Sequence, residues 1–538
     1  GGGVVVPPVL GSRATFLLGG FGGVAGRALA EGDVLALGST ENLAAPLDVA
    51  PLLPELRSEW TLRVLAGPHG APEHLTPAGV DALFASTWTV DHRADRTGVR
   101  LVGPAPQWAR SDGGEAGLHP SNIHDSPYPI GGIMLSGDTP VIIGPDGPSL
   151  GGFVVAAVVV RADRWMLAQL RPGDTVRLAV VSPDVADSAN RARAALLSDP
   201  RAALSPPVRP AIPRPASAPR ILLAEVAETG HAPTMCVRRA GDHHVLVELG
   251  PPTLDLRVRV WIELFAGLLR DRAVPGVREI VPGVRSLLVR VDECRLPLTA
   301  LAAVLTDLAS EVPDPTAVTL DVRQVTMPIA FDHPEAHEAM ARYARSVRPD
   351  APWCPDNVEF IRRINDLDER PDVFDMVTAA TYLVLGLGDV YLGAPVAVPI
   401  DPRHRLVTTK YDPPRTWTPQ NAVGIGGVYL CVYGMEGPGG YQLVGRTVPV
   451  WRQVAGSDEP PWLLRPFDRL RFRPVTAAQL AELRAEIKAG RMDLDTTPAT
   501  FTLSEVDELE SKHHAEIDRF RRRRQTAFNQ ERARWMRG

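Results

Sequence analysis

The chain has 538 residues, 57 basic and 63 acidic, with 45% hydrophobic and 22% charged; that is too long for one core and corresponds to three or four domains of about 150 residues. A net charge of −6 and a pI near 6.1 give no general attraction to nucleic acid or anionic membrane. No apolar run reaches the roughly 18 residues of a membrane helix, and four cysteines at least 58 residues apart, without CxxC pairs, suit a reducing cytosol.

The opening Gly-Gly-Gly-Val-Val-Val has no initiator methionine, charged n-region or h-region, and is expected to belong to a fragment. Gly20-Phe-Gly22-Gly-Val-Ala25 fits a loose dinucleotide pattern, but Gly26, Gly32 and Asp33 interrupt any following helix, so it reads as a glycine-rich loop. Short apolar runs broken by Gly and Pro, such as Pro140 to Ile143 and Gly152 to Val160, predict strands, closed by a helix around Ala186 to Leu197. Between them HPSNIHDSPYPIGG packs His119, Asn122, His124, Asp125 and Tyr128 into ten residues, where a buried loop combines a proton acceptor with hydrogen-bond donors. The competing reading is an Asx-rich turn satisfying its own backbone. Gly147-Pro-Ser149-Leu-Gly151 matches the GxSxG nucleophile pattern, but a strand rather than a helix follows, which makes Ser149 a turn residue.

Six prolines between Pro206 and Pro219 predict an extended linker. Beyond it, helical spacing over Asp255 to Leu269 and Leu298 to Leu308, with strand-like Val245 to Leu249 and Ser286 to Val291, predicts a small α/β sandwich. A strand from Val318, a helix opening near Pro334 and another over Val358 to Ile364 come next, then β-like sequence to about Pro474. His333 and His337 lie one turn apart with no third ligand in view, and read as a surface helix rather than a metal site.

Lysine is scarce, with Lys410, Lys488 and Lys512 alone among the 57 basic residues. None follows a glycine as a Walker A lysine does, and none has the setting of a biotinylated or lipoylated lysine. Lys410 stands in a second polar stretch with Arg415, Asn421, Glu436 and Arg446, and a lysine retained in an arginine-rich chain suggests a need for a compact cation or proton donor. GPSLGGF before LRPGDTVRL and GPGGY before LRPFDRLRF recur in the same order, predicting two related β-barrel-like units. The glycine- and proline-free segment Ala499 to Arg537 predicts one long helix, whose run Arg521 to Arg524 reads as a solvated face without a catalytic role.

At these residues the chain resembles the carboxyltransferase region of biotin-dependent urea carboxylase, including its guanidine-carboxylating relatives. The blocks that carry the resemblance include GLHPSNIHDSPYPIGG, DGPSLGGF, SVRPDAPWCPDNVEFIRRIN, GLGDVYLGAPVAVPIDPRHRLVTTKYDPPRTWTP and GIGGVYLCVYGMEGPGGYQLVGRT. The broader superfamily takes in allophanate hydrolase relatives and the two accessory subunits of bacterial 5-oxoprolinase, which share the PGVRSL and GPGGY-type blocks.

The resemblance implies a mainly β fold with α+β parts: cyclophilin-like β-barrel units, a small α/β sandwich and a long C-terminal helix. It divides the chain into a partial first barrel domain (1–203), a linker (204–219), a small α/β domain (220–315), a second barrel (316–476) and a helical segment (477–538) that leads in the family to a biotin carrier. The implied activity transfers CO2 from carboxybiotin to a nitrogen of urea or guanidine. Biotin would come on a separate carrier, and ATP would act only through a separate biotin carboxylase domain. Asp125 or Glu436 would take the substrate's N–H groups, Lys410 and Arg415 would stabilise developing negative charge, and His124 would relay protons. Asn122, Tyr128, Asn421 and Tyr441 complete the expected substrate-binding set, with no metal. The site is expected between the two barrel units. An accessory part of an ATP-dependent 5-oxoprolinase and a non-catalytic binding or regulatory module are the other readings.

Overall fold

The computed structural model describes residues 3–39, 53–199, 221–389, 392–452 and 460–535. The expected linker at 204–219 lies outside the described residues. The first unit is built on β1 (Glu59–Ala66), α1 (Pro77–Ala85), β2 (Thr87–Val90), β3 (Gly98–Val102), β4 (Asn122–Pro127), β5 (Gly132–Ser136), β6 (Thr139–Ile143), β7 (Leu150–Phe153), β8 (Val155–Val159), the single turn α2 (Arg164–Leu167), β9 (Thr175–Val180) and α3 (Pro183–Ser198). Period-two alternation in β1 sends Trp60, Leu62 and Val64 inward. Seven strands close in the order β1-β8-β5-β6-β3-β2-β9, the seam being the parallel pair β1 and β9. An incomplete first barrel is therefore not what these residues form. The remaining two strands, β4 and β7, pair with each other outside the barrel.

The middle unit carries β10 (Leu222–Val226), β11 (Met235–Arg239), β12 (His244–Leu249), α4 (Leu256–Arg272), β13 (Val277–Pro282), β14 (Ser286–Val291) and α5 (Leu298–Ala309). Its five-stranded antiparallel sheet shares one core with the two helices, among them Trp261, Phe265, Leu301 and Leu305. Asp255 caps α4 by accepting from the Arg257 N–H.

The last unit runs β15 (Thr319–Phe331), α6 (Pro334–Ser346), α7 (Asn357–Ile364), α8 (Pro371–Ala379), β16 (Tyr382–Leu387), β17 (Pro395–Pro399), β18 (Arg415–Thr418), β19 (Ala422–Gly426), β20 (Tyr429–Val432), β21 (Gly437–Gly439), β22 (Gln442–Thr447), β23 (Arg469–Pro474), α9 (Ala477–Lys488), β24 (Asp495–Thr502) and α10 (Leu503–Trp535). Strands β22-β19-β20-β17-β16-β23-β15 close through the β15–β22 pairing, β23 lies parallel to β15, and β18 pairs with β21 outside the barrel. Strand for strand this is the first barrel again, so the sequence repeat is a repeat of topology. GPSLGGF and GPGGY supply the outlying strands β7 and β21, and the two LRP motifs lead into the seam strands β9 and β23.

The predicted single helix from Ala499 needs correction. Thr496 to Thr502 continue β24, whose β-branched residues pair antiparallel along the free edge of β15. Helix α10 begins only at Leu503. Of its run Arg521 to Arg524, the first three face solvent, but Arg524 turns inward. His333 caps α6 rather than ligating a metal, through its Nδ1 accepting from Glu335 N–H. Among the described residues no helix is long and apolar enough to cross a membrane.

Candidate functional site

Both outlying strand pairs converge on one cavity of about 500 Å³ between the barrels. The first barrel contributes Tyr128, Gly151 and Phe153, and the last unit contributes Asp389, Lys410 and Tyr441. Strand β4 brings Asp125 to the inner end of this space with no exposed surface. Its main chain is anchored by the middle unit, since Val284 N–H donates to the Asp125 carbonyl at 2.9 Å and Ser286 bonds Ser126 at 3.0 Å. All three units thus meet at one carboxylate.

Lys410 precedes β18 in an extended segment bound to the β21–β22 connection. Gln442 Nε2 donates to the Thr409 carbonyl at 2.9 Å, and Tyr411 N–H donates to Gly440 O at 2.6 Å. The side chain, 4% exposed, points across the interface to place Nζ 3.8 Å from Asp125 Oδ1 and 3.5 Å from the Gly152 carbonyl. Phe153 and Tyr441 cover it with ring centroids 4.9 and 5.3 Å from Nζ. These rings occupy matching places in the two repeats. The backbone N–H of each donates to a tyrosine hydroxyl, Phe153 to Tyr128 at 2.9 Å and Tyr441 to Tyr433 at 3.2 Å. Gly152 must be glycine, because a Cβ would collide with both Asp125 Oδ1 and Lys410 Nζ.

The electrostatics of the cluster are set by one cation and two acids. Burial pushes the Asp125 carboxyl up to about 8; the neighbouring Asp389 adds to the rise, while Lys410 opposes it. Asp389 is raised too, chiefly by burial, against Lys410 and against hydrogen bonds from Tyr441 and Cys431. Near neutral pH the two acids share a proton, and both Asp125 oxygens lack a hydrogen-bond partner. Desolvation likewise raises the Cys431 thiol well above its usual range, so it stays neutral beside them.

The other expected residues lie elsewhere. His124 is buried behind β4 with Nδ1 on the Tyr429 hydroxyl, and burial lowers it to about 4, leaving it neutral. Asn122 is buried at the start of β4, where its Oδ1 accepts from His119 N–H. Arg415 is 1% exposed but turned away from the cavity: it stacks on Tyr411 and donates to the Tyr441 carbonyl at 2.7 Å, to Thr418 and to Tyr433. Asn421 sits at a positive φ of 63°, accepting from Arg484 at 2.6 Å. Glu436 is exposed and accepts from Trp417 at 3.2 Å. Of the nine expected residues the cavity gathers Lys410, Tyr128 and Tyr441, with Asp125 behind them.

Asp389 is the participant that sequence reasoning passed over. Its signal was an acid set directly after the buried strand YLVLGL, in the glycine-flanked turn of GLGDVYLG. Among the described residues, His119, Asp138 and Asp412 have ligand-type atoms within 4.8 Å of one another. The ring geometry disfavours a metal there: His119 Nδ1 accepts from Ser121 N–H at 3.1 Å, which puts the imidazole proton on Nε2, facing the two carboxylates.

Comparison with known proteins bears on this site directly. Residues 1–180 match the family model "Carboxyltransferase domain, subdomain A and B", and residues 235–464 match "Carboxyltransferase domain, subdomain C and D". The chain is 39% identical over 514 residues to the urea amidolyase of Lachancea kluyveri, covering 93% of this chain and 28% of that protein. It is 30% identical over 546 residues to a putative urea carboxylase of Emericella nidulans, covering 96% of the chain and 44% of that protein. The crystal structure of the Kluyveromyces lactis urea carboxylase superposes with a TM-score of 0.91 at 39% identity, over 97% of this chain and 47% of that one. The first unit alone is 30% identical over 179 residues to a 5-oxoprolinase subunit of Escherichia coli, covering 32% of this chain and 52% of that protein. This chain therefore spans less than half the length of the urea amidolyase and urea carboxylase relatives.

Proposed function

The chain belongs to the carboxyltransferase-domain family, and on that premise we propose that it is the carboxyltransferase part of a biotin-dependent urea or guanidine carboxylase in the cytoplasm. Its partners would be biotin carboxylase and biotin carrier domains, and its product allophanate or carboxyguanidine. The observation that carries this reading is the buried Asp125–Lys410 pair at the junction of two barrels, with Asp389 beside it.

The apolar walls from Phe153, Tyr128 and Tyr441 fit an uncharged bicyclic ring system, and the unpartnered Asp125 oxygens fit a small ligand rich in N–H groups. Carboxylated biotin, when bound, supplies the activated CO2. Everything else falls to this chain. Asp125 accepts an N–H of the substrate and, when ionised, takes its proton as the nitrogen attacks. Lys410 lies opposite, where negative charge develops on the new carbamate oxygens, and the surrounding rings exclude the water that would screen it. Asp389 shares the proton load, so that the cluster holds one excess negative charge or one proton.

That charge count bears on the substrate. Guanidinium neutralises the excess carboxylate directly, whereas urea leaves it to a proton. The test mixes this chain with biotin carboxylase, biotinylated carrier, ATP and bicarbonate, and measures ATP turnover stimulated by urea, guanidine or 5-oxoproline. Stimulation by urea or guanidine supports the reading and names the substrate. Stimulation by 5-oxoproline alone would move the assignment to the oxoprolinase side, the reading favoured by the match of the first unit to the Escherichia coli oxoprolinase protein. No response to any of them would favour a binding or regulatory module.

A further inference from the structure

Arg524 is the one member of the basic run on α10 that is withdrawn from solvent, with its side chain 11% exposed. Its guanidinium bridges two loops from different barrels. Nη2 donates to Glu115 Oε1 and Nη1 to the Arg405 carbonyl, each at 2.8 Å. Glu115 lies ten residues before Asp125, and Arg405 five residues before Lys410.

Those loops also touch each other. Val428 N–H donates to the Glu115 carbonyl at 2.8 Å, and Thr408 N–H to the Gly427 carbonyl at 3.0 Å. Gly427 itself, at φ 59°, leaves no room for a Cβ against the Ala116 carbonyl. Tyr429, next in line, holds His124, the neighbour of Asp125. A closed circuit thus runs from Arg524 through Glu115, Val428, Gly427 and Thr408 back to Arg405, and both members of the candidate pair hang from it.

We propose that Arg524 is a positioning residue that fixes the gap between Asp125 and Lys410, making the C-terminal helix part of the reaction machinery. The inference rests on the carboxyltransferase reading for its consequence in turnover, but not for its geometry. Deleting the bridge frees the loop before each residue, and a misplacement of about 1 Å in a reacting group costs up to about 100-fold. Arg523, one residue earlier, pairs with Asp366 at 2.8 Å on the open surface and provides a control of equal charge on the same helix.

The experiment compares Arg524→Ala, Arg524→Lys and Arg523→Ala in the reconstituted enzyme. Arg524→Ala should lower kcat tenfold or more, Arg524→Lys should recover part of it by keeping one of the two bonds, and Arg523→Ala should leave turnover unchanged. The pH profile separates positioning from loss of folded protein. Asp125 faces Asp389, Lys410, the phenols of Tyr128, Tyr429 and Tyr441, and the Cys431 thiol. Among these Lys410 holds its carboxyl down, so a retreat of the ammonium must move the rising limb of kcat/KM to higher pH. Partial unfolding would scale the profile without moving it. Crystal structures of the unmutated protein and the Lys variant read the Nζ–Oδ1 separation, 3.8 Å here, without any turnover. Thus a dead unmutated enzyme would sink the functional reading alone. An unmoved limb, or an unchanged separation where no turnover is seen, would overturn the role of Arg524; if the Ala variant does not fold, the Lys variant carries both measurements.

Discussion

The two barrels have the same closed order of seven strands, the same parallel seam and the same outlying pair, yet they bring opposite charges to their junction. In the first, the outlying strand β4 carries the acid Asp125; in the second, β18 begins with Arg415, which turns into its own unit, and the segment before it supplies Lys410. The repeated GG-aromatic motif is used twice for the same task, laying Phe153 and Tyr441 on either side of one ammonium. Duplication thus supplies symmetric walls, and divergence supplies an asymmetric acid and base between them. The largest break in that arrangement is Lys410→Ala, which leaves two carboxylates without a cation. Carboxyl transfer should fall by about 10³-fold while circular dichroism and the unfolding transition remain those of a folded protein. Near-normal turnover would remove Lys410 from the site.

Next comes the acid. Asp125→Asn keeps the shape and removes the proton acceptor, so turnover should drop by about 10²-fold. Its effect on stability has the opposite sign. With a folded value near 8 against 3.8 for an ordinary aspartate, native Asp125 holds a proton the unfolded chain has lost. Stability contributed by that proton is fully present below pH 4 and disappears as pH rises towards 8. The Asn variant has no such loss, so its melting temperature should exceed that of the unmutated protein by a margin that grows from pH 5 to pH 8. Equal melting curves at both pH values would mean that Asp125 is not the buried titrating group.

The repeat also offers a test at matched positions. Gly152 and Gly440 stand at the same place in GPSLGGF and GPGGY, but a Cβ at Gly152 would strike both reacting groups, whereas at Gly440 it would meet Lys410 Cβ at an ordinary 3.5 Å. Gly152→Ala should therefore cost about tenfold or more in turnover by parting the pair, and Gly440→Ala should cost little. Parallel assays of the two variants measure whether the asymmetry lies where the charges do.

Much of this architecture was legible because it is written in local pattern. The period-two strands, the capped helices α4 and α6 and the paired glycine motifs depend on neighbours a few residues away. What escaped depends on distance in the chain. Asp389 is an unremarkable acid after a strand until folding sets it beside Asp125 and Lys410 from three separate segments. Arg415 and Asn421 have residue types fit for a site, but no local signal tells that their partners are the Tyr441 carbonyl and Arg484. Strand β24 was read as helix because Thr-rich segments reveal themselves only when an edge such as β15 is there to receive them.

Arg415 gives the smallest effect on chemistry and the sharpest separation of the two roles a buried cation can have. Its guanidinium donates to Tyr441, Thr418 and Tyr433 and lies 4.3 Å from the Tyr411 ring centroid, so it holds the base of the wall that carries Tyr441 rather than touching the cavity. Arg415→Gln leaves buried acceptors unmatched and should cost about 3 kcal/mol of stability. Below the melting transition the folded fraction should still turn over, with a modest rise in KM as Tyr441 loosens and no displacement of the pH limb. A loss of kcat as deep as that of Lys410→Ala, with folding intact, would instead place Arg415 at the reacting atoms and make the second barrel the source of two cations rather than one.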